Sequence, residues 1–521
     1  MRGAWARAVP PRSNSESFAA RHHGGMTVPS DYLCHDAIGL AQLVAQREVS
    51  ARELLDAAIG RAQALNPAIN AIVLNDYAAA RERAASGTLA GPLAGVPYLV
   101  KDLGSAVAGL PLSLGSRHYR HHVPAEDSPL IVRTKAAGLN IFGKTNTPEL
   151  GQMPYTESAL LGVCRNPWNL DHTPGGSSGG AAAAVAAGIV PLAHASDGGG
   201  SIRIPASCCG LFGFKPSRDP ALTPWPVPGE IVVEHAVSRS VRDSALLLDI
   251  TTGRTAPGTL EGVGAPGTYL GALDAPPPAL KIGYVTDPML APALSADVRD
   301  ALNRAAALAA SLGHNVEPAT LNLDFAQIGE VFLTIWAAIA DELVLGAERI
   351  TGRKPARAEF EPATWAMAQV GRRLVRERLP HALELQRQIT ARVAGLVSRY
   401  DVLLCATLAA PPIKIGEMQP TPLETRQMEL LGVLPIKPLL KRMLAEVSHQ
   451  AFAWAGCTEL FNLTGQPAMS VPLHWSARGL PVGVQFVARH GDDARLFALA
   501  RQLELAQPWF DKRPPLARAQ A

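Results

Sequence analysis

Two glycine-rich runs with a helix former between them constrain this chain more than any other stretch. Gly175-Gly176-Ser177-Ser178-Gly179-Gly180 leads into Ala181-Ala182-Ala183-Ala184-Val185-Ala186-Ala187, and after Pro191 comes Asp197-Gly198-Gly199-Gly200-Ser201-Ile202-Arg203-Ile204-Pro205. The alanine run favours helix, with Gly188 placed to stop it and Pro191 beyond. The first run therefore opens a buried helix, and the second follows an extended segment. A glycine run before a hydroxyl lets backbone N–H groups crowd around one point with no Cβ in the way. Clustered N–H groups favour an anion, and a nucleophile needs such a cluster where negative charge develops. Ser177 and Ser178 fall at a helix N-terminus, whose partial positive charge acts in the same sense. Neither run is a phosphate loop: no lysine follows Gly180, and neither reads GxGxxG. Each run alone also fits an ordinary loop or turn; the two together favour a site.

A serine nucleophile needs a base. Ser201 lacks the G-x-S-x-G surround of a nucleophile elbow. Among the 14 histidines, His118, His121 and His122 cluster in a polar segment and read as surface residues, while His194 reads as a buried supporting residue. Lys101 is the better candidate. It ends the apolar run from Ala94 through Val96, Tyr98, Leu99 and Val100, and a lysine closing a buried strand is unusual. The alternative is a strand-end lysine that snorkels to water.

The residues then carry a resemblance. Pro174 to Pro216 resembles the signature of the amidase signature family: a GGSSGG run, a D-G-G-G-S-I-R run, and Cys209-Gly210-Leu211-Phe212-Gly213-Phe214-Lys215-Pro216. Gly95-Val96-Pro97 with Lys101-Asp102, Gly143-Lys144-Thr145-Asn146 with Glu149, and the C-terminal stretches Phe461 to Pro472 and Gly479 to Gln485 are similar to further family motifs. The text around Cys208 and the C-terminal motif most resemble the branch containing 6-aminohexanoate cyclic dimer hydrolases. The resemblance implies an α/β/α sandwich with a mixed central sheet covered by helices on both faces.

It also implies a Ser–Ser–Lys triad. Ser201 matches the acylated nucleophile, Ser177 the bridging serine on a cis peptide bond, and Lys101 the base. Backbone N–H groups of Gly198, Gly199, Gly200 and Ser201 are expected to hold the oxyanion, with Ser178, Asp197 and Arg203 bracing the loops. A lysine base must be neutral, so burial is expected to lower Lys101 from about 10.4 toward 7–8. Ser196 stands where threonine is usual in the family, Gly198 where a larger residue is common, and Ala181 where serine is common. Gln152 and Trp336 are candidates for substrate contact. Phe332, Ile335 and Trp336 share a helical spacing that also fits a core stripe, and Met428 to Met443 is a candidate entrance.

Composition fits an enzyme of ordinary kind: 521 residues, 47% hydrophobic, net charge +3. That charge argues against a dedicated nucleic-acid surface. The longest apolar stretches are too short and too interrupted by Gly and Pro to span a bilayer. The six cysteines show no C-x-x-C spacing and read as reduced, in a cytoplasmic setting. No spacing suits a metal, and no cofactor is implied. Residues 1–30, with Arg2, Arg7, Arg12 and Arg21, read as a disordered tail or a start set too early. Residues 31–515 read as one domain, with the signature core at about 90–220, a linker or long surface loop at 252–279, and a variable, substrate-shaping region at about 325–445. The expected partner is a small neutral amide, linear or cyclic, with no nucleic acid and no membrane; a homodimer stays open. So do an aryl acylamidase, a carbamate or fatty-acid amide hydrolase, a glutaminase subunit of an amidotransferase, an aminolysing variant, and a non-catalytic anion binder.

Overall fold

The computed structural model describes residues 32–219, 222–223 and 227–518; the expected N-terminal tail lies outside them. Eight strands form one mixed sheet. Their order is Asn315–Ala319, Lys281–Val285, Val402–Ala406, Pro481–Ala488, Ala468–Trp475, Phe212–Lys215, Val233–Ser238 and Leu192–Asp197. Pairing is parallel among the first three strands and antiparallel across the rest. A second sheet of three strands runs Ile72–Asn75, Asn140–Thr145, Pro97–Lys101, with the last two parallel. Helices pack on the large sheet, among them Ala296–Ser311, Asp493–Ala506 and Val241–Thr252. This is the α/β architecture that the resemblance implies.

Local sequence explains the elements that position the site. Ser50 and Glu53 form a reciprocal capping box at the start of helix Ala51–Ile69. Every residue of Pro97–Lys101 is buried, as expected for a strand covered on both faces, whose apolar residues run on without alternation. The helix Gly179–Ala186 is buried on all sides and touches strands of both sheets. Its small residues permit that approach: a Cβ at Gly180 would stand 2.3 Å from the Asn146 nitrogen. The helix thus fills the seam where the Lys101 strand lies beside Leu192–Asp197.

Candidate active site

Lys101 is fully buried, so the snorkelling alternative fails. Its Nζ donates to Ser177 Oγ at 2.7 Å and to Ser196 Oγ at 3.0 Å. The peptide bond from Gly176 to Ser177 is cis. Ser178 joins the two glycine runs: its Oγ donates to the Ser196 carbonyl and accepts the Ser196 N–H, both at 3.3 Å. Burial is the main influence on the Lys101 amine and lowers it to about 7, with Glu234 and Asp197 pulling the other way.

Behind the lysine sits a pair of which sequence reading named only His194, as a buried supporting residue. The Lys101 main-chain N–H donates to His194 Nδ1 at 3.3 Å. An acceptor Nδ1 puts the ring proton of a neutral imidazole on Nε2, which faces Glu234 Oε1 at 3.5 Å. The other Glu234 oxygen accepts from Ser105 Oγ at 2.6 Å. His194 and Glu234 are buried, at 0% and 1% exposure.

The glycine loop is held by Asp197. Its carboxylate accepts from Gly200 N at 2.8 Å and Ile202 N at 3.2 Å. Arg203 meets it with Nε and Nη2, each at 2.9 Å, and both side chains are fully buried. The same guanidinium reaches Gln485 Oε1 and Asn462 Oδ1, each at 2.6 Å, and the Thr458 carbonyl at 3.0 Å. Burial alone would raise Asp197, but Arg203, Lys215 and Asn462 hold it well below the usual carboxylate range. The Gly200 N–H is committed to Asp197 and so leaves the expected set of oxyanion donors. Among the described residues the N–H groups of Gly198, Gly199 and Ser201 have no protein acceptor.

Ser201 lies at the junction of two cavities of about 90 and 50 Å³, both of which Gln152 and Trp336 also line. The smaller one includes Ser177, Ser196 and Gly198 as well. Among the described residues the Ser201 hydroxyl has no hydrogen-bond partner. Phe332 and Trp336 stack at 5.4 Å and line the larger cavity, whereas Ile335 is core. Met428 and Met443 line that cavity and also a further one of about 560 Å³, next to exposed Leu430, Leu434 and Ile436. His118 is a correction. It is buried, with Nδ1 2.6 Å from Glu359 Oε2, because Glu359 and Thr351 from the helical region close over it. Among the described residues no cluster of His, Cys, Asp or Glu is arranged to hold a metal ion, and no helix is long and apolar enough to cross a membrane.

The family model for amidases matches residues 53–497. The chain belongs to the amidase family. The amidase is 36% identical to the 6-aminohexanoate-cyclic-dimer hydrolase of Paenarthrobacter ureafaciens, across 93% of this chain and 97% of that protein. The solved structure of 6-aminohexanoate cyclic dimer hydrolase complexed with substrate superposes with a TM-score of 0.80 at 33% identity, covering 93% of the amidase and 99% of that chain. A bacterial aryl acylamidase of the amidase signature family superposes at 0.76 with 28% identity, covering 92% and 98%. The amidase is an enzyme that hydrolyses amide C–N bonds. Sequence reading missed Thr458 and Glu234 as neighbours of the site and noted Ser196 only as a departure from the family pattern. Asn462 and Gln485 stood inside recognised motifs, which was the available signal for their part in holding Arg203.

Proposed function

We propose that the amidase works through a serine acyl-enzyme, with Ser201 as nucleophile, Ser177 as proton bridge and Lys101 as base. One observation carries the reading: the fully buried Lys101 amine lies 2.7 Å from the Ser177 hydroxyl, and Ser177 shares a cavity with Ser201. In its neutral form Lys101 takes the Ser177 proton while Ser177 takes that of Ser201. Ser201 Oγ then bonds to the amide carbon. A bound substrate closes the gap between the two hydroxyls, as catalytic contacts commonly tighten in the complex. The oxyanion lies against the N–H groups of Gly198, Gly199 and Ser201, which no other acceptor among the described residues engages. As the C–N bond breaks, the proton returns through Ser177 to the leaving amine. Water then attacks the acyl ester, giving a carboxylic acid and free Ser201.

The apolar cavity supports neutral amides with apolar flanks, linear or cyclic. Linear and cyclic 6-aminohexanoate amides are the first compounds to test, because a similar enzyme is a 6-aminohexanoate-cyclic-dimer hydrolase. All six cysteines are free and all but Cys34 are buried, which supports a cytoplasmic setting. The test pairs a fluorophosphonate probe with a screen of anilides, esters, carbamates, glutamine and cyclic amides. The wild type should be labelled at Ser201 and turn over amides. Ser201→Ala should lose labelling and about 10⁴-fold or more in rate. Folded wild-type protein that is neither labelled nor active would overturn the reading.

A further inference from the structure

The cavity beside Ser201 is walled by apolar side chains, including Ile204, Phe332, Trp336, Met367 and Phe452. Among the described residues that line it, Glu459 alone is ionisable. It is 5% exposed, and it stands next to the oxyanion loop: a Cβ at Gly199 would lie 3.8 Å from Glu459 Cγ. One carboxyl oxygen accepts the N–H of Thr458 at 3.1 Å. Among the described residues no cation lies within ion-pair distance of it.

Glu459 opens the short helix Glu459–Thr464, but helix capping is a weak reason for a buried acid. A carboxylate at a helix start contributes about 0.3–1 kcal/mol, and an uncharged Ser, Thr or Asn satisfies such N–H groups as well. Burying a carboxyl with no cation costs more than that. The fold gains little from Glu459, whereas a ligand entering the cavity meets it as the only group able to pair with a positive charge.

Building on the acyl-enzyme reading, we infer that Glu459 is the recognition group for a protonated amine on the substrate, so that the favoured substrates are amides whose apolar chain carries an amino group. Such a chain satisfies the whole lining: methylenes against the methionine and aromatic walls, and ammonium against the carboxylate. Burial pushes Glu459 up to about 8; the backbone N–H groups of Glu459 and Thr458, and after them Arg203, act against the rise, and Asp197 adds to it. An aliphatic ammonium stays charged until about pH 10. Preference for the amino substrate should therefore strengthen from about pH 7 to about pH 9, as Glu459 ionises ahead of its partner.

The experiment compares 4-aminobutyryl and 6-aminohexanoyl anilides with the butyryl and hexanoyl anilides. It reads the ratio of kcat/KM within each pair, which does not depend on the amount of folded enzyme. The wild type should favour at least one amino member by about tenfold or more at pH 9. The ratio should fall to about one or below in Glu459→Leu and to an intermediate value in Glu459→Gln. Equal turnover of both members by the wild type overturns the inference and leaves the acyl-enzyme reading standing, as does an unchanged ratio in Glu459→Leu. A wild type that cleaves none of the four and stays unlabelled at Ser201 overturns both.

Discussion

Lys101 offers its amine to two hydroxyls and meets no solvent. Its proton affinity is therefore set by burial, which lowers it to about 7, against the pull of Glu234 and Asp197. With the neutral amine as the proposed working form, kcat/KM on a neutral amide should rise with pH through about 7 and then level. Glu234→Gln removes one of the two carboxylates that favour the charged amine. Asp197 stays committed to Arg203, and Lys144 stays beside Asp102 at 3.3 Å. The acid limb should then move to lower pH by about half a unit or more; a limb that does not move would place Glu234 outside the base's electrostatic reach. Lys101 was legible in the sequence because an apolar run ended in a cation. Glu234 was not, because it arrives only when Val233–Ser238 pairs with Leu192–Asp197 in the register that sets it opposite Ser196. His118 was misread for a related reason: its acid, Glu359, is far along the chain.

At the level of elements, the loop from Gly198 to Ser201 is shaped by its neighbours as much as by its own flexibility. Gly200 has φ +122°, and a Cβ there would stand 2.2 Å from Thr458 Oγ1. Thr458 Oγ1 in turn donates to the Gly199 carbonyl at 2.7 Å, so Thr458 holds the loop at two successive residues. Gly200→Ala should displace the N–H donors and cost about 100-fold or more in kcat/KM. Near-normal kinetics in that variant would mean that the loop tolerates movement. Removing one member of the Asp197–Arg203 pair strands a buried charge, which typically costs about 3–5 kcal/mol of stability. The glycine run and the two charged residues were readable as a unit. The grip of Thr458 was not, because it comes from a distant segment.

Across the whole molecule, the sheets and the seam helix hold Lys101, Ser177 and Ser201 in place, while helices outside the signature build the walls. Phe325–Leu345, Pro362–Val370 and Lys437–Ala455 supply Trp336, Met367 and Met443 to the cavity. The fold was legible because long ordered motifs carry it, and the same motifs hold the proposed reacting groups. The walls were legible only as a region, since periodicity gives a helix its apolar face but not the space that face borders. Met443→Trp should fill part of the passage and lower kcat/KM for bulky anilides by about tenfold or more, with small aliphatic amides much less affected. Equal effects on both would separate Met443 from the route of entry. The sealed position of Lys101 also governs timing. On the acyl-enzyme reading, the hydrogen lent by Ser201 passes most directly to the departing nitrogen through Ser177, so amides clear the base as they react. An activated ester, whose alcohol leaves without accepting that hydrogen, would leave the base occupied, and release of the acyl group rather than its capture would then set the pace.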